Sequence, residues 1–229
     1  MGFEIEKKFL VGNYNETLEM LKKDFGKDAV RSKAGFWFAG NFTGMECMTS
    51  LPDPKFFKKE LAMIKDIGEF DIPLQDFQYA RLRIVNRDRY MITFKSKSIQ
   101  NKMEQNVEYE FELKKNVFAR ILNFLSEGNL VFYYNIKDSI EFKSNDMKIE
   151  LSKINDLKDS YLEVEVTGEN ESLLKNKLGK YIKKFDSYSL KDEPRNYSEL
   201  SYFENRNALK NMKVSQYSKE ALKEINKKL

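Results

Sequence analysis

The chain has 229 residues and 33% of them are charged, yet the formal net charge is only +4. This near-cancellation argues against a protein that coats nucleic acid through general positive charge, so any electrostatic function must rest on local clusters. The absence of His and the single cysteine, Cys47, exclude imidazole chemistry, a Cys–His catalytic pair, intrachain disulfides and thiolate zinc sites. A bound metal would be a hard ion held by carboxylates, and we expect Mg²⁺ or Mn²⁺.

The size of the chain suits one large domain or one domain with a smaller appendage. Hydrophobic residues make up 41% of it, which is enough for a substantial core. No signal peptide is visible, and no apolar run has the length of about 20 residues that a membrane-spanning helix needs. We therefore expect a soluble, cytoplasmic protein.

The first part of the chain opens with a strand. Residues 3–11, "FEIEKKFLV", place Glu and Lys side chains on one face with a period of two. The segment "NETLEMLKKDFG" predicts a helix, with Asn15 as its N-cap and Gly26 at its end. Residues 32–76 carry weaker signals, namely a candidate strand in "GFWFAGNF" and a short helix after "LPDP".

Later segments give clearer patterns. Strands are predicted in "QYARLRIVN", "RYMITFKSKS" and "QNVEYEFELK", and a helix follows in "NVFARILNFLSEG" with Asn116 as its cap. Three more strands are predicted in "YNIKDSIEF", "MKIELSKI" and "SYLEVEVTG", and a helix in "ENESLLKNKLGKYIKKF". Residues 207–228 favour a Lys-rich helix. The whole pattern predicts an antiparallel sheet or closed barrel with helices on its outside.

Six of these strands have one charged face and one apolar face. For any single strand, the simplest interpretation is an amphipathic sheet whose charges face water. The charges are, however, sorted by strand, and the basic strands carry paired Arg-x-Arg and Lys-x-Lys. The acidic positions are Glu4, Glu6, Glu108, Glu110, Glu112, Glu163 and Glu165, and the basic ones are Lys8, Arg81, Arg83, Lys95, Lys97 and Lys137.

A closed barrel with these charged faces inside would have a lumen suited to a polyanion. Arg and Lys match the oxygens of a linear triphosphate, and carboxylates would hold a divalent ion that also contacts the phosphates. Phosphoryl transfer depends mainly on positioning and electrostatics, so it requires no His base. The pattern therefore indicates a metal-dependent triphosphate site.

The motif Glu4-x-Glu6-x-Lys8 resembles the E-x-E-x-K signature of the CYTH, or triphosphate tunnel metalloenzyme, superfamily. Later family motifs are matched in order by "ARLRI", "TFKSKS", "VEYEFEL", "YLEVEV" and "RNYSEL", so the resemblance extends from residue 3 to residue 203 or so. The superfamily includes inorganic and thiamine triphosphatases, class IV adenylate cyclases and, more distantly, fungal-type RNA triphosphatases. The resemblance implies an α+β, mainly β fold, a closed eight-stranded antiparallel barrel with helices packed outside.

The resemblance also implies a role for each matching position. The implied metal ligands are Glu4, Glu6, Glu163 and Glu165, and the implied catalytic residues are Glu4, Glu6, Lys8 and Glu165. The implied substrate-binding residues are Lys8, Arg81, Arg83, Lys95, Lys97, Lys137 and Arg195, with Glu108 and Glu110 as supporting acids. Tyr197 would pack at the end of the tunnel.

The chain departs from the family pattern at two positions. The K-x-R strand of the family appears here as Lys137-x-Ser139, and Ser152 occupies a position where the family often has Asp. We expect a tunnel domain over residues 1–203, with an enlarged insertion at 32–76, and a helical extension over 204–229.

The leading interpretation is metal-dependent hydrolysis of tripolyphosphate or an organic triphosphate. The alternatives are a class IV adenylate cyclase, an RNA 5′-triphosphatase and a non-catalytic module that binds polyphosphate or nucleotide. The expected partner is a small molecule that contains a triphosphate. A nucleotide and an RNA 5′ end are the alternative partners. No membrane partner is expected.

Overall fold

The computed structural model describes residues 3–26, 28–39, 54–61, 77, 79–100, 103–127, 131–144, 147–155, 157–195, 197 and 200. The expected C-terminal helix over 207–228 lies outside these residues, as does most of the expected insertion over 32–76. None of the described helices has the length and apolar character needed to cross a membrane.

The described residues form nine strands and four α-helices. The strands are β1 (Phe3–Val11), β2 (Val30–Ala39), β3 (Tyr79–Val85), β4 (Arg89–Gln100), β5 (Met103–Leu113), β6 (Val131–Ser144), β7 (Met147–Ile154), β8 (Ser160–Gly168) and β9 (Lys191–Asp192). The helices are α1 (Tyr14–Phe25), α2 (Pro54–Leu61), α3 (Lys115–Glu127) and α4 (Glu171–Ile182), and a 3-10 helix (Lys183–Tyr188) follows α4.

These strands form one sheet in the order β5-β4-β3-β2-β6-β7-β8-β1-β9, and β5 also pairs with β1. The β1–β8 pair is antiparallel over the full length of both strands, and the β6–β7 and β7–β8 pairs are antiparallel too. The prediction of a mainly β, antiparallel fold is therefore confirmed. The closed eight-stranded barrel remains a prediction.

Two compact units make up the chain. The first comprises Met1–Lys33, Lys97–Glu108 and Lys137–Glu204, and the second comprises Ala34–Ser96, Tyr109–Ile136 and Asn205–Leu229. The predicted domain boundary at residue 203 lies outside the described residues and stays a prediction.

In the first unit, the apolar faces of β1, β7 and β8 are the faces that the helices cover. Leu21 of α1 and Leu174 and Leu178 of α4 are buried in the core of this unit. The core residues that the three strands supply are Ile5, Phe9, Val11, Met147, Ile149, Leu151, Leu162, Val164 and Val166. Because successive side chains of a strand point to opposite faces, the strand residues of the other parity lie on the face away from the helices, and these include Glu4, Glu6, Lys8, Lys148, Glu150, Glu163 and Glu165.

In the second unit, aromatic side chains form the packing around α2 and α3. The ring of Phe57 meets that of Phe94 edge-on, with ring centroids 5.4 Å apart. The ring centroids of Phe77 and Phe94 are 6.4 Å apart. The ring of Tyr90 packs against that of Phe118 of α3, with ring centroids 5.3 Å apart. Aromatic pairs of this kind add stability beyond their burial, so this cluster fixes both helices against β4.

The predicted helix caps are only partly correct. Asn15 is not the N-cap of α1, because the helix already begins at Tyr14 and the extended backbone belongs to Asn13. The side-chain oxygen of Asn13 accepts a hydrogen bond from the Glu16 backbone N–H at 3.3 Å. Gly26 ends this helix with a φ of 94°, as predicted. Asn116 lies inside the first turn of α3 and is therefore not its cap.

Tyr188 links the 3-10 helix to α1, since its hydroxyl donates a hydrogen bond of 2.9 Å to the Asp24 carboxylate. Burial and this hydrogen bond raise the pKa of Tyr188 above its ordinary value of 10.0. The stabilisation is therefore present below pH 10 and is lost as the pH rises above it. We expect Tyr188→Phe to lower the free energy of unfolding by about 1 kcal/mol near neutral pH.

Urea unfolding followed by circular dichroism at pH 8 and pH 11 tests this expectation. The difference between wild type and Tyr188→Phe should shrink at the higher pH. If the two proteins differ in free energy of unfolding by the same amount at both pH values, the hydrogen bond that the Tyr188 hydroxyl donates does not stabilise the fold.

Candidate functional site

The charged face of the first unit is organised by strand register around Glu165. In the β1–β8 pair, Glu6 lies opposite Glu165, and in the β7–β8 pair Lys148 lies opposite the same residue. One carboxylate oxygen from each of Glu4, Glu6 and Glu165 lies within 4.8 Å of the others, and all three residues are partly buried. The register therefore brings three acidic side chains from two neighbouring strands to one point.

Lys148 neutralises part of this acidic group. Its ammonium contacts the Oε2 atom of Glu165. Burial opposes the charge on Lys148, but the carboxylates of Glu165 and Glu150 outweigh burial and raise the pKa of the lysine. Lys148 is therefore charged at neutral pH.

A second row of charges lies beside the first. Lys8 is opposite Glu163 in the β1–β8 pair, and Glu150 is opposite Glu163 in the β7–β8 pair. The Nζ atom of Lys137 sits between the two acids, 2.8 Å from Glu150 and 2.7 Å from Glu163. Burial opposes ionisation of Glu163, but the charges of Lys137 and Lys8 outweigh it and lower its pKa to about 2. This row is an internally compensated ion cluster.

The Glu4, Glu6 and Glu165 group fits a hard divalent cation. Mg²⁺ binds carboxylate oxygens at about 2.1 Å, so its ligands lie up to about 4.2 Å apart. The spacing of up to 4.8 Å in this group needs only a small adjustment to reach that distance. Glu163, the fourth ligand that the resemblance implies, accepts a hydrogen bond of 2.7 Å from Lys137, and its role as a metal ligand stays a prediction.

An apolar cluster ends the charged face. Leu10 and Tyr161 are opposite each other in the β1–β8 pair and have the same parity as Lys8 and Glu163. Tyr197 meets Tyr161 edge-on with centroids 5.3 Å apart. Lys8 and Lys137 lie over the Tyr197 ring, at 4.5 Å and 5.2 Å from its centroid. Burial and the charge of Glu163 raise the pKa of Tyr197 well above its ordinary value, so its hydroxyl keeps its proton.

Arg195, which the resemblance implies as a phosphate-binding residue, forms a bidentate pair with Glu193. The Nε–Oε1 and Nη2–Oε2 distances are 2.8 Å and 2.6 Å. Burial opposes the charge on Glu193, but the hydrogen bonds from Arg195 outweigh it and lower the pKa of the acid. The backbone N–H of Glu193 also donates to the Lys8 carbonyl at 3.0 Å, which ties this pair to β1.

The second unit contains its own cluster of charges. The Oε2 atom of Glu110 accepts from Arg83 at 2.8 Å and from the Thr93 hydroxyl at 2.8 Å, and it lies 3.9 Å from Arg81. Both guanidinium groups lie over the Phe36 ring. The Cζ atom of Arg81 is 5.6 Å from the ring centroid, and that of Arg83 is 5.9 Å from it. The structure thus joins the Arg-x-Arg motif to one of the predicted supporting acids.

The remaining predicted residues lie on the expected strands. Lys95 is buried on β4, and Glu108 is partly buried on β5. Lys97 also belongs to β4, but its side chain lies outside the described residues.

Lys148 and Glu150 were not among the predicted site residues. The signal was present in "MKIELSKI", where both have the same parity as Ser152, a position that the family motif had drawn attention to. The structure also shows that Ser139 and Ser152 are directly opposite each other in the β6–β7 pair. Both serines are buried, and the Ser152 hydroxyl lies 3.5 Å from that of Tyr197. The two departures from the family pattern are therefore one local feature.

Comparisons with known proteins support the fold. No family profile and no curated protein matches the chain. Among solved structures, the PH1012 protein of Pyrococcus horikoshii has a TM-score of 0.60 at 17% identity, over 86% of this chain and 98% of that one. A candidate adenylate cyclase from Vibrio parahaemolyticus has a TM-score of 0.55 at 14% identity, and the match covers 86% of this chain and 97% of that one.

A third similar structure is a Hippeastrum protein described as a candidate adenylyl cyclase with a dominant triphosphatase activity. Its TM-score is 0.52 at 12% identity, over 86% of this chain and 93% of that one. The chain therefore has the fold of these proteins along most of its length. At these identities the likeness is one of fold.

The ion cluster around Lys137 gives a test of stability. Lys137→Met would leave the largely buried acids Glu150 and Glu163, whose side chains are 13% and 12% exposed, beside each other without their shared cation. We expect it to lower the free energy of unfolding by about 3–5 kcal/mol. Lys22→Met, which breaks an exposed pair with Glu19, should change it by less than about 1 kcal/mol. Urea unfolding of the two variants measures both values. Equal, small effects would contradict a structural role for the cluster.

Proposed function

We propose that this protein hydrolyses a triphosphate, inorganic or organic, with Mg²⁺ or Mn²⁺ held by Glu4, Glu6 and Glu165. The observation that carries the proposal is the approach of these three carboxylates to within 4.8 Å on a sheet face that also presents lysines. The fold supports it, because a similar structure is described as having a dominant triphosphatase activity.

The finer fold prediction, a closed eight-stranded barrel, belongs to this proposal. The pairing of β1 with β5 supports it, with Glu4 opposite Asn106 and Ile5 opposite Gln105. β1 would then have a partner strand on each side, since it also pairs with β8 along its whole length.

The chain contributes in two ways. The acidic group would hold the divalent ion, which when bound would neutralise charge on the phosphate oxygens and position the attacking water. Lys8 and Lys137 would bind phosphate oxygens, and Glu163 would orient Lys137 rather than ligate the ion, because its carboxylate lies 2.7 Å from that ammonium.

The other cations of the proposal come from the sequence resemblance. Arg81, Arg83, Lys95, Lys97 and Arg195 keep the phosphate-binding role that it implies. The pairing of Arg83 with Glu110 at 2.8 Å supports this role for the Arg-x-Arg motif, because a carboxylate partner keeps the planar guanidinium oriented for a second anion.

The second candidate function is that of a class IV adenylate cyclase. The observation in its favour is the similarity to the candidate adenylate cyclase of Vibrio parahaemolyticus. The same carboxylates would serve, but attack would come from the ribose hydroxyl of ATP. The products then distinguish the two functions, since a cyclase releases cyclic AMP and pyrophosphate whereas a hydrolase releases ADP and phosphate.

A panel of tripolyphosphate, ATP and triphosphate-ended RNA, each with Mg²⁺ and with Mn²⁺, tests the proposal. We expect metal-dependent phosphate release, and Glu6→Gln should lower kcat/KM by about 100-fold or more, because metal assistance is worth several kcal/mol. Glu141→Gln provides a matched control. Glu141 lies on β6, opposite Glu150 of β7, and is outside the acidic group, so its loss should change the rate little.

Three other outcomes would replace this function. Cyclic AMP from ATP would favour the cyclase, and selective cleavage of RNA 5′ ends over tripolyphosphate would favour an RNA 5′-triphosphatase. Metal-dependent binding without turnover would identify a module that binds polyphosphate or nucleotide. Equal, negligible release by wild type and Glu6→Gln on every substrate would rule out hydrolysis.

A further inference from the structure

We propose that Lys148 is an internal counter-cation for Glu165 that must leave this carboxylate when a divalent ion binds. The inference rests on the proposed function, because it takes Glu4, Glu6 and Glu165 as the metal site. It adds a property of this chain that the acidic group alone does not predict, namely competition between a lysine and the metal for one ligand.

The geometry makes Glu165 a shared residue. On one side it lies opposite Glu6, with which it forms the acidic group. On the other side it lies opposite Lys148, whose ammonium contacts its Oε2 atom. A divalent ion ligated by Glu165 would therefore lie within a few ångströms of this ammonium. In a partly buried site two positive charges at that separation repel strongly, because solvent screens them poorly.

Lys148 is also the lysine that can move. Its side chain is 32% exposed, whereas that of Lys137 is only 11% exposed. Lys137 is held by two carboxylates, Glu150 and Glu163, at 2.8 Å and 2.7 Å. A lysine whose stem already reaches solvent can rotate and keep its ammonium hydrated, so Lys148 can give up its contact with Glu165 without leaving a buried, unsolvated charge, while Lys137 stays in place.

This competition lowers the apparent affinity for metal. The protein binds metal only in the state in which Lys148 has released Glu165. The observed dissociation constant equals the intrinsic one divided by the fraction of molecules in that state. Removing the ammonium should therefore tighten metal binding. A lysine that only stabilised the fold would not have this effect.

The test is direct Mn²⁺ binding to the full chain without any substrate, measured by isothermal titration calorimetry. We expect Lys148→Met to lower the dissociation constant by about tenfold or more, and Lys148→Gln to act in the same direction. Lys148→Arg keeps the cation and should bind Mn²⁺ as weakly as wild type. Circular dichroism verifies that each variant is folded.

Lys143→Met is the matched control for loss of one positive charge. Lys143 lies opposite Lys148 in the β6–β7 pair, but its ammonium contacts Glu141 rather than Glu165. We expect the dissociation constant of this variant to stay within about twofold of wild type, because the Lys143 side chain is 67% exposed and solvent screens its charge. An equal tightening in Lys143→Met and Lys148→Met would overturn the inference, since general electrostatics would then explain both.

Failure of the inference and failure of the proposed function give different results. If wild type and Lys148→Met bind Mn²⁺ equally well, Lys148 does not compete, although the metal site stands. If neither protein binds Mn²⁺ at millimolar concentration, the acidic group is not a metal site and both proposals fall. If Glu165→Gln binds Mn²⁺ as tightly as wild type, Glu165 is not the shared ligand and the inference is wrong.

Discussion

The need to compensate charge on a partly buried sheet face is the constraint on which the rest of the first unit depends. Burial disfavours an isolated ion, so each buried lysine there is matched to carboxylates on the neighbouring strands. Lys137 between Glu150 and Glu163 is the clearest case. Because these partners belong to three strands, the ion cluster also favours a single register. A slip of one residue in any one of these strands would turn its charged member of the cluster to the apolar face.

Two rows on the same face differ in how complete this compensation is. The row with Lys8, Lys137, Glu150 and Glu163 has cations placed among its acids. The group of Glu4, Glu6 and Glu165 has three carboxylates close together, with Lys148 at its margin. The first row has the character of a fixed scaffold. The second has the excess negative charge and the partial exposure that a hard cation requires.

The sequence indicated the faces of the sheet more reliably than the contacts made on them. Alternation assigned Glu4, Glu6, Glu163 and Glu165 to one side, and β7 and β8 have the predicted bounds. Alternation contains no information on register, so the ion pair between Lys137 and Glu163 could not be predicted. The resemblance implies Glu163 as a metal ligand because its motif treats both acids alike, and this role stays a prediction. The two-residue strand β9 was missed because it is too short for any periodicity.

The opposed serines show how such a face can change. Ser139 and Ser152 are buried directly across from each other, where the family pattern has a cation and often an acid. Replacing both the cation and the acid by serine leaves the local net charge unchanged. Replacing only one of them would leave the other as a buried charge without a partner. Cross-strand positions of this kind should therefore covary as complementary couples. A charged sheet face can then be changed pairwise, with each neutral couple giving a less charged stretch of its surface.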